Sequence, residues 1–348
     1  MSAIAIQEQL DSTRKTVGFD TYDITIRQLY DMVNEGIIDI APEYQRHFVW
    51  QADRQSALIE SIFLGIPVPS LFMATNKDST WEVIDGLQRL MTIINFVHAA
   101  GDKLVHVKEQ VQKLRLQNLD KLNSMNGSFF EDLPRSIQIK FLTRPIKLTV
   151  LNDRSDFDVR YDLFERLNTG GITLHPQEIR NCVYLGRFKD FIIECSTYKN
   201  YLSSVNISQS SQKAGTLEEL VLKFFAYYEN RSEFVHSVKE FLNDYMEAKT
   251  KKFNNQEALK TLFQSTFDII NECLADGIVR GNRKQTPQVL FEAVTIGVAD
   301  CVTNNIEVDC SKLQNLLNDQ ELKKLTTGAT NSRKRLNARI DYVKKYLK

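Results

Sequence analysis

The sequence predicts an α+β protein: a small sheet with helices in the N-terminal half, then an all-helical C-terminal domain. Two observations carry that expectation. The segments that read as strands, SLFMAT, WEVID and IKLTV, all lie in the first half of the chain. From about Cys182 onward only the helical period recurs, as in LEELVLKFFAYYENR and in the closing stripe of Leu336, Ile340, Val343 and Leu347. A length of 348 residues fits about two domains, and the patterns place them at 20–184 and 185–348.

The elements follow in order. Ile24 to Gly36 reads as a helix, with Thr25 as a candidate cap and Gly36 as its stop. IIDIAP reads as a short strand, and PEYQRHFVW, which lacks periodicity, as a loop. Asp53 to Gly65 reads as a second helix with Leu58, Ile59, Ile62 and Phe63 on its apolar face. SLFMAT and WEVID are two strands joined by a short turn. A helix begins within or just after DGLQR, because Leu90, Met91, Ile94 and Val97 recur at its spacing. Ile146, Leu148 and Val150 alternate with Lys147 and Thr149 as a strand does. DFDVRYDLFERLN is helical, and Pro176 suits the first turn of the next helix. In the second half, Leu217, Leu220, Val221, Phe224, Phe225 and Tyr228 form one expected stripe.

Composition narrows the function classes. Lysine plus arginine equal aspartate plus glutamate, 44 against 44, so no global field draws the chain to nucleic acid; such binding needs a local patch. No stretch is long and apolar enough to span a bilayer, and the N-terminus has no signal-peptide pattern. A cytoplasmic protein is the expectation. Five scattered cysteines without a CxxC pair read as free, buried thiols. The chain lacks a P-loop, a GxGxxG fingerprint, HExxH and zinc spacing. His98 and His106 read as structural.

Three segments carry candidate chemistry. Asp85 to Arg89 reads as strand, sharp turn and helix. The helix start offers free N–H groups and a positive dipole end, which suit an anion. Gly86 permits close backbone approach, Arg89 can fork onto a phosphate, and Asp85 can hold Mg2+ or orient water. The competing account is plain punctuation, with Arg89 paired at the surface. In the second segment, Tyr44, Gln45 and Arg46 sit among aromatics that can stack on a base, while Phe48 and Trp50 read as core anchors. In the third, Asn168, Thr169, Gly170 and Gly171 follow a helix as either an anion-binding nest or a helix stop. Glu178 and Arg180 pair with neighbours in the plainer account.

These blocks, PEYQRHFVW, WEVIDGLQRLMTI and FERLNTGGITLHPQEIRN, resemble in the same order the signature of one family. It is the DGQQR-motif N-terminal domain of GmrSD-type (type IV) restriction systems, related to the ParB/sulfiredoxin fold. The resemblance implies a ParB-like nucleotide-binding domain over 20–184, carrying the YQR, DGLQR and LNTGG blocks, that takes an NTP with Mg2+ and in several members hydrolyses it. By motif position it makes Asp85, Gln88 and Arg89 the catalytic core, with Asp85 on the metal. Tyr44, Gln45, Arg46, Gly86, Asn168 and Gly170 would bind the nucleotide. Leu87 departs from the family pattern, where a glutamine stands, and that bears on hydrolysis more than on binding.

Complete GmrSD enzymes carry a C-terminal HNH nuclease domain, and this chain shows no such motif. The resemblance therefore implies the sensor or regulator of a separate nuclease effector in anti-phage defence, able to form oligomers. Two further readings stay open: a nucleotide-gated DNA-binding module without turnover, and a DNA-nicking ParB-like nuclease. The candidate DNA patches are Arg280, Arg283 and Lys284 in one loop, and Arg333, Lys334, Arg335 and Arg339 in the last helix.

Overall fold

The computed structural model describes residues 18–40, 48, 50–76, 78–98, 111–152, 157–167, 175–328 and 330–348. The chain divides into two compact units, Met1–Thr173 and Leu174–Lys348. The family of elements is α+β: a mixed five-stranded sheet in the first unit, and helices without a strand among the described residues of the second.

In the first unit, strand β1 (Phe19–Thr25) precedes helix α1 (Ile26–Asn34). Sequence reading missed β1 because FDTYDIT has no apolar alternation. Residues 19–23 are all exposed, so burial imposed no pattern on them. Thr25 ends the strand and caps α1 in a reciprocal box: Gln28 N–H donates to Thr25 Oγ1 at 3.2 Å and Thr25 N–H donates to Gln28 Oε1 at 2.9 Å. Ile26, Leu29 and Val33 form its buried face, and Gly36 turns the chain at φ 74°.

Short strand β2 (Ile38–Asp39) follows, then helix α2 (Ala52–Leu64), closed by Gly65 in the left-handed region at φ 75°. Strands β3 (Leu71–Thr75) and β4 (Trp81–Asp85) form an antiparallel hairpin. Helices α3 (Leu87–Val97) and α4 (Arg135–Leu142), strand β5 (Pro145–Leu151) and helix α5 (Phe157–Leu167) complete the unit.

The sheet order is β1-β5-β3-β4-β2. β5 runs antiparallel to β1 and parallel to β3, and β2 runs parallel to β4. One face turns Leu71, Met73, Val83, Ile146, Leu148 and Val150 into the core, where they meet the buried faces of α1, α2 and α3. Phe63, Phe96 and Phe141 close the core's far side, with Phe63 and Phe141 centroids 4.7 Å apart. His98 is structural as read: its Nδ1 lies 3.1 Å from the Tyr30 hydroxyl. His106 lies outside the described residues.

The second unit runs from helix α6 (Pro176–Val183) through α7 (Arg187–Ser196), α8 (Lys199–Ser204), α9 (Gln209–Lys213), α10 (Thr216–Asn230), α11 (Val238–Lys251) and α12 (Gln256–Cys273). Helices α13 (Gln288–Thr303), α14 (Cys310–Leu317), α15 (Gln320–Leu325) and α16 (Arg333–Leu347) follow. The single stripe expected on α10 underestimates its burial. Every residue from Leu220 to Tyr227 is buried, whereas Leu217 and Tyr228 are half-exposed. A helix enclosed on all sides carries no moment to read. The closing stripe of Leu336, Ile340, Val343 and Leu347 is buried as expected.

Three charged groups inside the helical unit were not legible as such. Arg180 is 1% exposed. Its Nε donates to Asn243 Oδ1 at 2.8 Å and its guanidinium meets Glu219 at 3.2 Å. Lys223 meets the same carboxylate at 3.0 Å. Burial pushes the Glu219 carboxyl up, but Lys223 and Arg180 push it down further, so the net shift is downward. A folded-state value held below the unfolded one adds stability above about pH 4.5, lost as pH falls through the folded value. Wild type is therefore expected to lose unfolding midpoint below that pH faster than Glu219→Gln does, which thermal melts between pH 3 and 7 check. Parallel curves would remove Glu219 from the account.

The cysteine expectation needs correction. Cys273, at the end of α12, and Cys310, at the start of α14, form a disulfide, while Cys182, Cys195 and Cys301 are free and buried. At a sequence separation of 37 and with no spacing motif, only the packing of α12 against α14 brings the two together.

Candidate functional site

The strand–turn–helix at residues 85–89 forms as the sequence leads one to expect. Asp85 ends β4, Gly86 sits left-handed at φ 99°, and α3 begins at Leu87. Gly86 is required by this turn, since other residues rarely adopt that φ. The space a Cβ would take is already filled by Leu71 Cδ2, at 2.5 Å, and by the Arg89 guanidinium, at 3.3 Å. The glycine thus serves chain direction and packing. The α3 N-terminus has no side-chain cap, so the first-turn amides are not met by a capping side chain.

Arg89 holds the turn together. Its NH2 donates to Asp85 Oδ2 at 2.7 Å, its NH1 donates to Ser70 O at 3.0 Å, and NH1 also donates to Pro69 O. The guanidinium therefore bridges the end of β4 to the residues that lead into β3. Its side chain is 14% exposed and that of Asp85 is 31% exposed. Asp85 keeps an accessible carboxylate edge beside the α3 N-terminus.

Gln88 connects the first block to the second. Its Oε1 accepts the Trp50 N–H at 3.1 Å, and Gln55 Nε2 donates to Trp50 O at 2.8 Å. The two glutamines grip both sides of Trp50, the residue that closes PEYQRHFVW. Arg54 stacks over the Trp50 ring at 4.4 Å. Phe48 packs against the core as an anchor, while Trp50 is half-exposed. Leu87, the departure from the family pattern, packs half-buried against the same core. Sequence reading did not single out Arg54 or Gln55. Their signal is their place in the first turn of α2, next to Trp50 in the chain.

Other candidate residues fall outside the described set: Tyr44, Gln45, Arg46, Asn168 and Gly170 all do. The third block re-enters as α6, where Pro176 takes the first turn and Glu178 Oε2 accepts the His175 N–H at 2.7 Å. Arg180 belongs to the buried cluster above.

The candidate DNA cations divide into two sets. Arg280 donates from Nε to Leu317 O at 2.7 Å and from NH1 to Thr326 Oγ1 at 2.9 Å. Arg333 Nε donates to Phe234 O at 2.7 Å. Arg339 is 1% exposed, and its NH2 lies 2.5 Å from Glu292 Oε2. It belongs to the interior rather than to a solvated basic face. Arg283, Lys284, Lys334 and Arg335 are exposed, and so is Arg333 despite its bond to Phe234 O.

The first unit is thus a small α+β domain in which a carboxylate at a strand end stands beside an uncapped helix start. Residues 26–185 match the model of the family described as the GmrSD restriction endonuclease, N-terminal domain. That stretch belongs to this family, a domain that indicates a component of a type IV restriction system. No curated protein and no solved structure matches the chain. No helix among the described residues is long and apolar enough to cross a membrane.

Proposed function

We propose that the N-terminal domain is a ParB-like nucleotide site that binds an NTP with Mg2+ at the Asp85–Arg89 turn, hydrolyses it, and thereby regulates a separate nuclease effector. The observation that carries the reading is the partly exposed Asp85 carboxylate set beside the uncapped start of α3. The α3 amides supply oriented donors for a phosphate. Among the described residues, no group of three or more His, Cys, Asp or Glu is placed to hold a metal. Mg2+ in a nucleotide complex takes one or two carboxylates and completes its shell with phosphate oxygens and water, so Asp85 alone is the protein ligand this reading requires. Asp85 would hold the ion, which supplies charge neutralisation at the phosphates.

The protein's own groups do the rest. Arg89 is fixed by Asp85 and two carbonyls, so its charge is positioned before any ligand arrives. Gln88 fixes Trp50, and through it the chain leaving the YQR block. By the family resemblance Asn168 and Gly170, which lie outside the described residues, would contribute from the third block. Leu87 offers no polar group, so water orientation falls to Asp85 and Gln88.

Phosphate release from ATP, GTP, CTP and UTP with Mg2+ tests the reading directly. Asp85→Asn, which keeps an acceptor for Arg89 but removes the charge, is expected to lower turnover at least about 100-fold while leaving the thermal midpoint near wild type. Turnover unchanged in that variant would remove Asp85 from the chemistry. Calorimetric binding without release in wild type would leave a nucleotide-gated sensor that does not hydrolyse.

A further inference from the structure

β1 lies at the edge of the sheet, with β5 on one side. The bonds at its two ends set the phase of its ladder. Asn152 N–H donates to Gly18 O at 3.0 Å and Ile26 N–H donates to Arg144 O at 3.0 Å. The register between them runs from Phe19↔Leu151 to Thr25↔Pro145. Antiparallel bonding alternates along a strand, so the even-numbered residues spend their N–H and C=O on β5. Phe19, Thr21 and Asp23 turn theirs outward, and among the described residues no hydrogen bond meets them. Residues 19–23 are exposed without interruption, Phe19 to 61% and Tyr22 to 39%.

Side chains alternate as the backbone does. Asp20 and Tyr22, opposite Val150 and Leu148, share the core-side face, whereas Phe19 and Asp23, opposite Leu151 and Lys147, share the other. Each face of the open edge thus carries one aromatic and one carboxylate, with the Tyr22 ring resting 5.3 Å from that of Trp81 and Lys147 opposite Asp23, which leaves Phe19 and Asp20 the freest of the four. A second copy of β1 would bring four carboxylates to one seam with no cation from either strand, which opposes self-pairing. An extended segment with lysine or arginine on both of its faces meets the same edge with opposite charge.

We propose that β1 is a docking strand for an extended basic segment of a partner protein, added to the sheet by β-augmentation. The outward groups of Phe19, Thr21 and Asp23 supply the ladder. Asp20 and Asp23 select basic side chains, and Phe19 and Tyr22 receive the apolar parts of the segment.

The probe is a fluorescein-labelled heptapeptide, Lys-Thr-Val-Lys-Val-Thr-Lys, with a glutamate version as control, read by anisotropy against the full chain. The lysine peptide is expected to bind in the micromolar range and the glutamate peptide at least about tenfold more weakly. Thr21→Pro removes an outward N–H that β5 does not use, so it is expected to weaken the lysine peptide about tenfold or more with the melting midpoint held. Asp20→Lys with Asp23→Lys leaves the backbone intact and is expected to switch preference to the glutamate peptide; it decides the matter if Thr21→Pro fails to fold. Binding untouched by both variants, or none up to roughly 1 mM peptide, overturns the proposal. So does sedimentation showing a dimer that Thr21→Pro dissolves, since the occupant is then a second copy.

Discussion

Arg339→Met is expected to lower the unfolding free energy of the helical unit by about 3–5 kcal/mol. The side chains of Arg339 and Glu292 are 2% and 6% exposed and meet at 2.5 Å, with a second bond from Arg339 NH1 to Thr330 O at 2.9 Å. Removing the cation strands a carboxylate among α10, α13 and α16, where water cannot reach it. Coulomb attraction does not set the size of the loss; the desolvated partner left behind does. The double variant Arg339→Met with Glu292→Leu is therefore expected to recover most of the stability, since an apolar pair of similar volume replaces the ionic one. Urea unfolding of wild type, the single variant and the double variant checks both statements. A double variant as weak as the single one would place the effect in packing instead.

Gly86→Ala is expected to cost about 2–5 kcal/mol in the first unit, the other large effect. Left-handed backbone strain accounts for roughly 1–2 kcal/mol of it. Overlap with Leu71 Cδ2, 2.5 Å from the new Cβ, adds about 1–3 kcal/mol. Leu71 is fully buried on β3, and the Arg89 guanidinium lies on the other side, so neither neighbour yields without disturbing the β3 entry. The same change tilts the start of α3, so NTP turnover and binding are expected to fall along with the melting midpoint. Asp85→Asn, which keeps the acceptor for Arg89, is in contrast expected to remove turnover with the midpoint held. That contrast separates the turn's architecture from its chemistry. A melting midpoint unchanged by Gly86→Ala would show that the turn relaxes cheaply.

Much of this was legible in the residues because local rules fix it. Thr25 and Gln28 box the start of α1, Gly65 stops α2, Pro176 opens α6, and Asp85–Gly86 marks the step from strand to helix. Each depends on backbone geometry within a few residues, which sequence carries directly. The order of the three blocks identified the family, and the family match covers the same stretch.

What the sequence determined by itself was therefore the class of fold, the element boundaries near caps and glycines, and the candidate turn. Tertiary structure decided what those residues touch. Gln88 reaches Trp50 from 38 positions away, Arg89 ties down two carbonyls ahead of β3, and Arg180 and Arg339 lie inside the helical unit instead of in solvent. The Cys273–Cys310 bond and the exposed edge strand β1 belong to the same group. Burial and pairing are properties of distant segments brought together, and a charge or a thiol reads the same in a linear sequence whichever environment the packing gives it.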